Sequence, residues 1–237
     1  MAYNQGRERP LLGEPMKKRS LMIGIVAMLF LSACSTKIDD DPDTHSSASL
    51  ARFREGEVME YQGKILSPAV GPRDNSINGV QTVDLATYRL TITGLVANPQ
   101  SLTYDEVLEL DLYQRMITLN CVEGWSARIL WEGVLLQELI EMAGPVSSAT
   151  IVIFHATDGY TTSLPYSVIK EKKLILAYKA NGIDLPPEMG YPFMVVAEDK
   201  LGYKWARWVN EIELSSDMNY QGYWESRGYD NIADVID

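Results

Sequence analysis

The sequence predicts an α+β domain of strand-rich mixed sheets with short flanking helices. Three observations carry that expectation. Short β-branched runs and apolar–polar alternations outnumber helical periodicities from about Phe53 onward. Strands and helices do not alternate regularly, as a doubly wound parallel sheet requires. Apolar residues are also spread evenly over 53–237 with no linker between them, which favours one domain around one core.

The elements follow in order. Tyr88-Arg-Leu-Thr-Ile-Thr93 alternates apolar and polar and reads as a half-buried strand closed by Gly94. Thr103-Tyr-Asp-Glu106 is a capping box, which opens a short helix running to about Leu110. Met116-Ile-Thr-Leu119 is a further strand. Leu135, Leu136, Leu139 and Ile140 recur at helical spacing, and Gly144-Pro145 stops that helix. Next come a strand over Thr150–Phe154, a turn at Asp158-Gly159, a strand over Leu174–Tyr178 and a hairpin at Asn181-Gly182. Phe193–Val196 is another strand. In the last, Ile212 and Leu214 alternate with Glu211 and Glu213.

Ahead of the domain, Met16 begins a stretch that reads as a signal peptide ending residues 1–33. Lys17, Lys18 and Arg19 form its basic region, an apolar core runs from Leu21 to Leu31, and Ser32 and Ala33 precede Cys34. That core is shorter than the roughly 20 apolar residues of a membrane-spanning helix. Leu31-Ser-Ala-Cys34 resembles the bacterial lipobox, which implies a diacylated Cys34, a lipid anchor, and a place in the bacterial cell envelope facing the periplasm or exterior. An ordinary cleaved signal with an incidental cysteine is the alternative. Residues 34–52, with Asp39-Asp-Asp-Pro-Asp43 and Ser46-Ser-Ala-Ser49, are expected to be a flexible acidic tether. The export route stays open between a general secretory signal and a degenerate twin-arginine version at Lys18-Arg19-Ser-Leu-Met22.

The chain has a net charge of −11, from 21 basic and 32 acidic side chains. Residues 1–33 hold five of the basic and two of the acidic groups, so the remainder is more acidic still. Such a balance excludes a nucleic-acid backbone as partner.

Of two cysteines, Cys34 belongs to the signal, which leaves Cys121 without a disulfide partner. It lies in Thr118-Leu-Asn-Cys-Val-Glu-Gly-Trp-Ser126, which the reading places between a strand end and a helix start. One reading is a small buried hydrophobe. The other is a thiolate presented to a ligand, since soft sulfur suits a soft or high-valent metal and one protein ligand leaves positions for a cofactor and substrate. Far along the chain, Gly202-Tyr-Lys-Trp-Ala-Arg-Trp-Val209 places Lys204 and Arg207 among aromatics. These cations could hold a phosphate, or could be snorkelling side chains packed on rings.

Together these stretches resemble the sulfite-oxidase family of molybdopterin-binding domains, more closely the small single-domain bacterial branch that includes periplasmic methionine-sulfoxide reductase catalytic subunits. The match is Cys121-Val-Glu-Gly-Trp125 with Trp131 ten residues after the cysteine, Asp158-Gly-Tyr160, Leu176-Ala-Tyr178, Gly182-Ile-Asp-Leu-Pro186, Gly190-Tyr-Pro192 and the Gly202–Trp208 run, in family order. The resemblance implies Mo-molybdopterin as cofactor, with Cys121 as the molybdenum ligand. It implies that Lys204 and Arg207, with the main chain around Gly202, Tyr203 and Trp205, hold the cofactor phosphate. It implies pterin contacts from Asn75, Asn78 and His155, the last being equally readable as a satisfied core residue. Trp125, Trp131 and Tyr160 are candidate pocket walls or core packing.

Two departures from the family pattern are visible. Met189 and Met194 stand where members often carry His or Asn and the Arg of Gly-x-Pro-x-Arg, which removes a phosphate-pairing cation. Val122, Glu123, Gly124 and Trp125 stand where sulfite oxidases place anion-binding arginines, so a neutral small-molecule substrate is expected rather than sulfite. The implied activity is oxygen-atom transfer on a small substrate. No Cys-x-x-Cys-His haem motif is present, so electrons are expected to pass to a separate electron-transfer protein, a membrane cytochrome or quinone-linked partner. A cofactor-free, lipid-anchored binding module on the same fold is the competing reading. A metal-free redox thiol at Cys121 is a third.

Overall fold

The computed structural model describes residues 47–71 and 74–236. In chain order these form α1 (Ser47–Gly56), β1 (Glu60–Tyr61), β2 (Lys64–Ile65), β3 (Leu90–Gly94), β4 (Gln100–Leu102), α2 (Tyr104–Leu108), β5 (Tyr113–Asn120), β6 (Ser126–Leu135) and α3 (Leu136–Ala143). There follow β7 (Ile151–Ala156), β8 (Thr161–Pro165), α4 (Tyr166–Lys172), β9 (Ile175–Ala180), β10 (Ile183–Asp184), β11 (Met194–Val196) and β12 (Val209–Ser215).

Two five-stranded sheets organise them. One runs β10-β9-β6-β5, with β11 sharing the free edge of β9; the other runs β4-β3-β12-β7-β8. All pairings are antiparallel except β12 with β3. The central place of β12 follows from its sequence. Ile212 and Leu214 are buried in the core while Glu211 and Glu213 look away from it, so the strand is bonded on both edges and polar on one face. α3 packs between the sheets, against β3 of one and β6 of the other, and buries Leu136, Leu139, Ile140 and Ala143. Gly144 in the left-handed conformation ends it.

Local chemistry fixes the connections. The Thr103 hydroxyl accepts from Glu106 N while the Glu106 carboxylate accepts from Thr103 N, which completes the capping box of α2. Asn181 (φ 50°) and Gly182 (φ 82°) form the two-residue turn between β9 and β10. Asn181 is fully buried and acts as a node. Its Nδ2 donates to Glu57 Oε2 and to Ser67 O, both at 2.8 Å, and its Oδ1 accepts from Leu130 N at 2.9 Å.

The structure differs from the sequence reading at several places. β6 was not expected. Seven of its ten residues are buried, and a central strand covered on both faces loses the alternation that marks a half-exposed one. β8 and α4 were likewise not expected. The expected tether to residue 52 is corrected at its C-terminal end, because α1 begins at Ser47: the run from Ala51 to Glu55 is rich in helix formers and Gly56 closes it. The signal peptide and Cys34 lie outside the described residues. No described helix is long and apolar enough to cross a membrane.

Gly94 is where backbone permissiveness is indispensable. It has φ +78°, and a Cβ there would stand 2.1 Å from Leu214 O. Gly94→Ala is expected to lose about 2–3 kcal/mol in urea unfolding, from left-handed strain plus displacement of β12. Gly79 has φ +72° with open space around its Cβ position. Its alanine variant should lose only about 1 kcal/mol, so equal losses at the two sites would refute the steric account.

Candidate functional site

The β5–β6 hairpin builds the site. Its last register pair, Asn120↔Ser126, closes on a five-residue tip, Cys121–Trp125. Within the tip Cys121 N donates to Trp125 O at 2.9 Å and Gly124 N to Cys121 O at 3.1 Å. Cys121 therefore sits on a pinned hairpin tip, and the expected place between a strand and a helix is corrected. The tip lies against the 3₁₀ turn Gly202–Lys204, since Asn120 bridges to Leu201 in parallel. A Cβ on Gly202 would meet Asn120 O at 3.5 Å and the Cys121 Cα at 3.7 Å.

Between these parts lies a cavity of about 340 Å³, within the usual range for a small-molecule or cofactor site. Residues 74–77 form one lip, and the hairpin tip supplies Cys121, Glu123 and Trp125. The β7–β8 turn contributes Asp158 and Tyr160, the 202–208 segment contributes Gly202, Tyr203, Trp205 and Arg207, and the C-terminal segment contributes Trp224 and Tyr229.

The structure thus brings together Asn75, Cys121, Gly202, Tyr203, Trp205 and Arg207 of the expected site residues, with Trp125 and Tyr160 as walls. Four others go elsewhere. Lys204 turns away from the cavity into a fully buried ion pair with Glu225, Nζ to Oε1 2.5 Å. His155 is on the face of β7 opposite the buried Phe154 and bonds Glu213 Oε2 at 2.8 Å, so it is a sheet-surface residue and not a cavity group. Asn78 is exposed, its carbonyl accepting from Gln81 Nε2 at 3.0 Å. Trp131 is buried in the core, donating from Nε1 to Ile117 O and backing Trp205 at 5.6 Å between ring centroids. The two departures also separate, for Met194 lines the cavity whereas Met189 is core.

Sequence reasoning missed Asp74, Trp224 and Tyr229. Nothing in the sequence around Asp74 marks it. The aromatic density of Tyr220-Gln-Gly-Tyr-Trp224 and Tyr229 was the available signal for the other two.

Burial pushes the Cys121 thiol above its ordinary 9.0, and the Glu123 carboxylate adds to this; the main chain of the tip and the Arg207 charge oppose it. Glu123 Oε2 accepts from Trp125 Nε1 at 3.1 Å and lies 3.9 Å from Cys121 Sγ. Burial lowers the Arg207 pKa, opposed most by Asp74, then by Cys121, Asp158 and Tyr160. Its NH1 donates to Glu188 O at 3.1 Å, yet no carboxylate of the described residues lies within ion-pairing distance. Tyr160, raised by burial, donates its hydroxyl to Tyr203 O and ties the β7–β8 turn to the 202–208 segment. A half-buried free thiol and a guanidinium with no direct carboxylate partner among the described residues thus face one cavity. That donor set suits a ligand with a soft-metal end and an anionic end.

Residues 77–224 match the oxidoreductase molybdopterin binding domain. The chain belongs to that family. Its domain is one that binds the molybdopterin cofactor, and the mixed sheets with few short helices are those of the sulfite-oxidase-like fold. The uncharacterized oxidoreductase YuiH of Bacillus subtilis (strain 168) is 35% identical over 147 residues, which cover 62% of this chain and 74% of that one. The protein-methionine-sulfoxide reductase catalytic subunit MsrP of Campylobacter jejuni is 26% identical over 168 residues, covering 64% of this chain and 56% of that one. The crystal structure of the sulfane dehydrogenase SoxCD from Paracoccus pantotrophus shares the fold, with a TM-score of 0.56 at 23% identity over 59% of this chain and 41% of that one.

The thiol's environment has a direct readout. In protein prepared without cofactor, alkylation of Cys121 by iodoacetamide should rise with pH to a midpoint above the 9.0 of an ordinary thiol. Glu123→Gln removes a raising charge and should move that midpoint down. A midpoint below 9.0 in the parent chain would contradict the burial argument.

Proposed function

We propose that this chain is a molybdopterin-dependent oxidoreductase that transfers an oxygen atom to or from a small, uncharged substrate. The observation that carries the reading is that Cys121 and Arg207, 86 positions apart in sequence, face one cavity in a chain of this family.

Cys121 would hold the molybdenum through its sulfur, on a tip whose two main-chain hydrogen bonds leave it little freedom. Arg207, unpaired with any described carboxylate, would take the cofactor's phosphate in charge-assisted hydrogen bonds. When bound, the cofactor supplies oxygen-atom transfer and the accompanying electron pair. Trp125, Trp205 and Tyr160 wall the cavity with apolar ring surface. Glu123, 3.9 Å from the thiol sulfur, repels an anionic substrate and so selects for a neutral one. Electrons would be exchanged with a separate redox protein, a membrane cytochrome or quinone-linked partner; the relative MsrP is named a catalytic subunit. Cys34, acylated after loss of residues 1–33, would anchor the protein in the bacterial cell envelope.

Met194 in the cavity wall and the inward turn of Lys204 leave Arg207 as the single cation among the described lining residues. That favours, as second reading, a cofactor-free binding module on the same fold.

The deciding experiment measures molybdenum and oxidatively released pterin on chain made in a cofactor-competent host. Near one molybdenum per chain is expected, with Cys121→Ser losing the metal while remaining folded and unfolding cooperatively. Arg207→Met should weaken pterin retention at least tenfold, the scale of a lost charge-assisted contact. A folded parent chain with neither metal nor pterin would overturn the enzyme and leave the module.

A further inference from the structure

The buried pair Lys204–Glu225 is used by nothing in the proposed chemistry, and its geometry has a consequence of its own. The segment from Tyr220 to Val235 crosses the back of the site as a strap. At its start Gly222 lies so close to β8 that a Cβ would stand 2.2 Å from Thr161 O, and Tyr223 N donates to Thr161 O at 2.9 Å. At its end Leu201 N donates to Ala233 O and Lys200 Nζ reaches Ile232 O at 3.0 Å and Asp234 Oδ1 at 2.5 Å. Between these ends the strap puts Trp224 and Tyr229 into the cavity wall, their rings 5.1 Å apart and Tyr229 edge-on to Tyr203 at 5.3 Å.

What holds the middle is the Lys204 ammonium. It donates to Glu225 Oε1 at 2.5 Å, to Asn231 Oδ1 at 3.1 Å and to Ser163 O at 3.1 Å. Glu225 Oε1 also accepts from Thr162 Oγ1 at 2.6 Å, and Asn231 Nδ2 closes back to Tyr220 O at 3.1 Å. One buried cation therefore ties β8 to two points of the strap that flank Tyr229. Within the 202–208 segment, Tyr203 and Trp205 face the cavity and Lys204 between them faces the strap.

We propose that Lys204 is a positioning residue, clamping the strap through Glu225 and Asn231 so that Trp224 and Tyr229 keep their places in the cavity wall. A buried ion pair is a costly device where an apolar pair would pack as well, and fixing one geometry is among its best-attested uses. The shape of this wall then depends on a buried ion pair that does not itself line the cavity.

The main arm of the test uses the full chain without cofactor, so its outcome is independent of the molybdopterin reading. With 5-fluorotryptophan the five tryptophans report separately by 19F NMR, Trp224 being assigned by its loss in Trp224→Phe. Asn231→Ala releases two strap contacts, to Lys204 Nζ and to Tyr220 O, while leaving Lys204 paired with Glu225, and retained folding is checked by the unmoved Trp131 signal. The Trp224 resonance should broaden or shift while that of Trp131, in the core, stays, and amide exchange across 222–235 should rise at least tenfold. Glu225→Gln should do the same more strongly, and Lys204→Arg should restore the parent Trp224 signal more fully than Lys204→Met. An unmoved Trp224 signal in Asn231→Ala and Glu225→Gln overturns the clamp. So does pterin loss in Lys204→Met, on chain from a cofactor-competent host, with strap exchange unchanged, since that would return Lys204 to the phosphate.

Discussion

The site depends on the pairing of β5 with β6, eight consecutive register partners from Tyr113↔Gly133 to Asn120↔Ser126. A hairpin of that length converts the rigidity of a sheet into the placement of a five-residue tip. On its other edge β6 is held by β9 from Trp131 to Leu135 and, nearer the tip, by Asn181 at Leu130 and Ser67 at Arg128. The parallel bridge from Asn120 to Leu201 then brings the 202–208 segment to the thiol. Without this register, Cys121 and Arg207 would have no reason to meet.

Charge is handled in two opposite ways within four residues of one segment. Lys204 is buried against Glu225, its ammonium satisfied by three acceptors, and its charge serves the fold. Arg207 has burial working against its charge and no described carboxylate in ion-pairing reach. It lines the cavity partly exposed, so its charge stays open to an anionic ligand. In an acidic chain, with Asp74, Glu123 and Asp158 around the same cavity, that lone guanidinium is where an anionic group finds favourable field.

Much of the fold was legible because its signals are local. The alternation in β12, the capping box at Thr103, the left-handed stop at Gly144 and the Asn181-Gly182 turn each depend on a few neighbouring residues. β6 was illegible because burial on both faces erases periodicity, and this hid the hairpin that presents Cys121. The site was legible where residue chemistry is distinctive, as with a lone thiol or an Arg among tryptophans. It failed where partners lie far away: nothing near Lys204 announces Glu225, and nothing near His155 announces Glu213 as its partner. Side-chain direction at a 3₁₀ turn or a strand face is a tertiary outcome, so a basic residue beside a cavity-lining one reads alike whether it faces ligand or core.

The node at Asn181 has a mechanical meaning. One amide side chain joins Glu57, Ser67 and the main chain of Leu130, while Val58 N donates to Asn181 O at 2.8 Å. The chain leaves α1 straight into this knot, so the first described helix is fastened to the β9–β10 turn before the chain goes on. The knot lies upstream of Asp74–Ile77, the cavity lip. The arrangement has the form of a cable gland, a grip on the cord set ahead of its terminals.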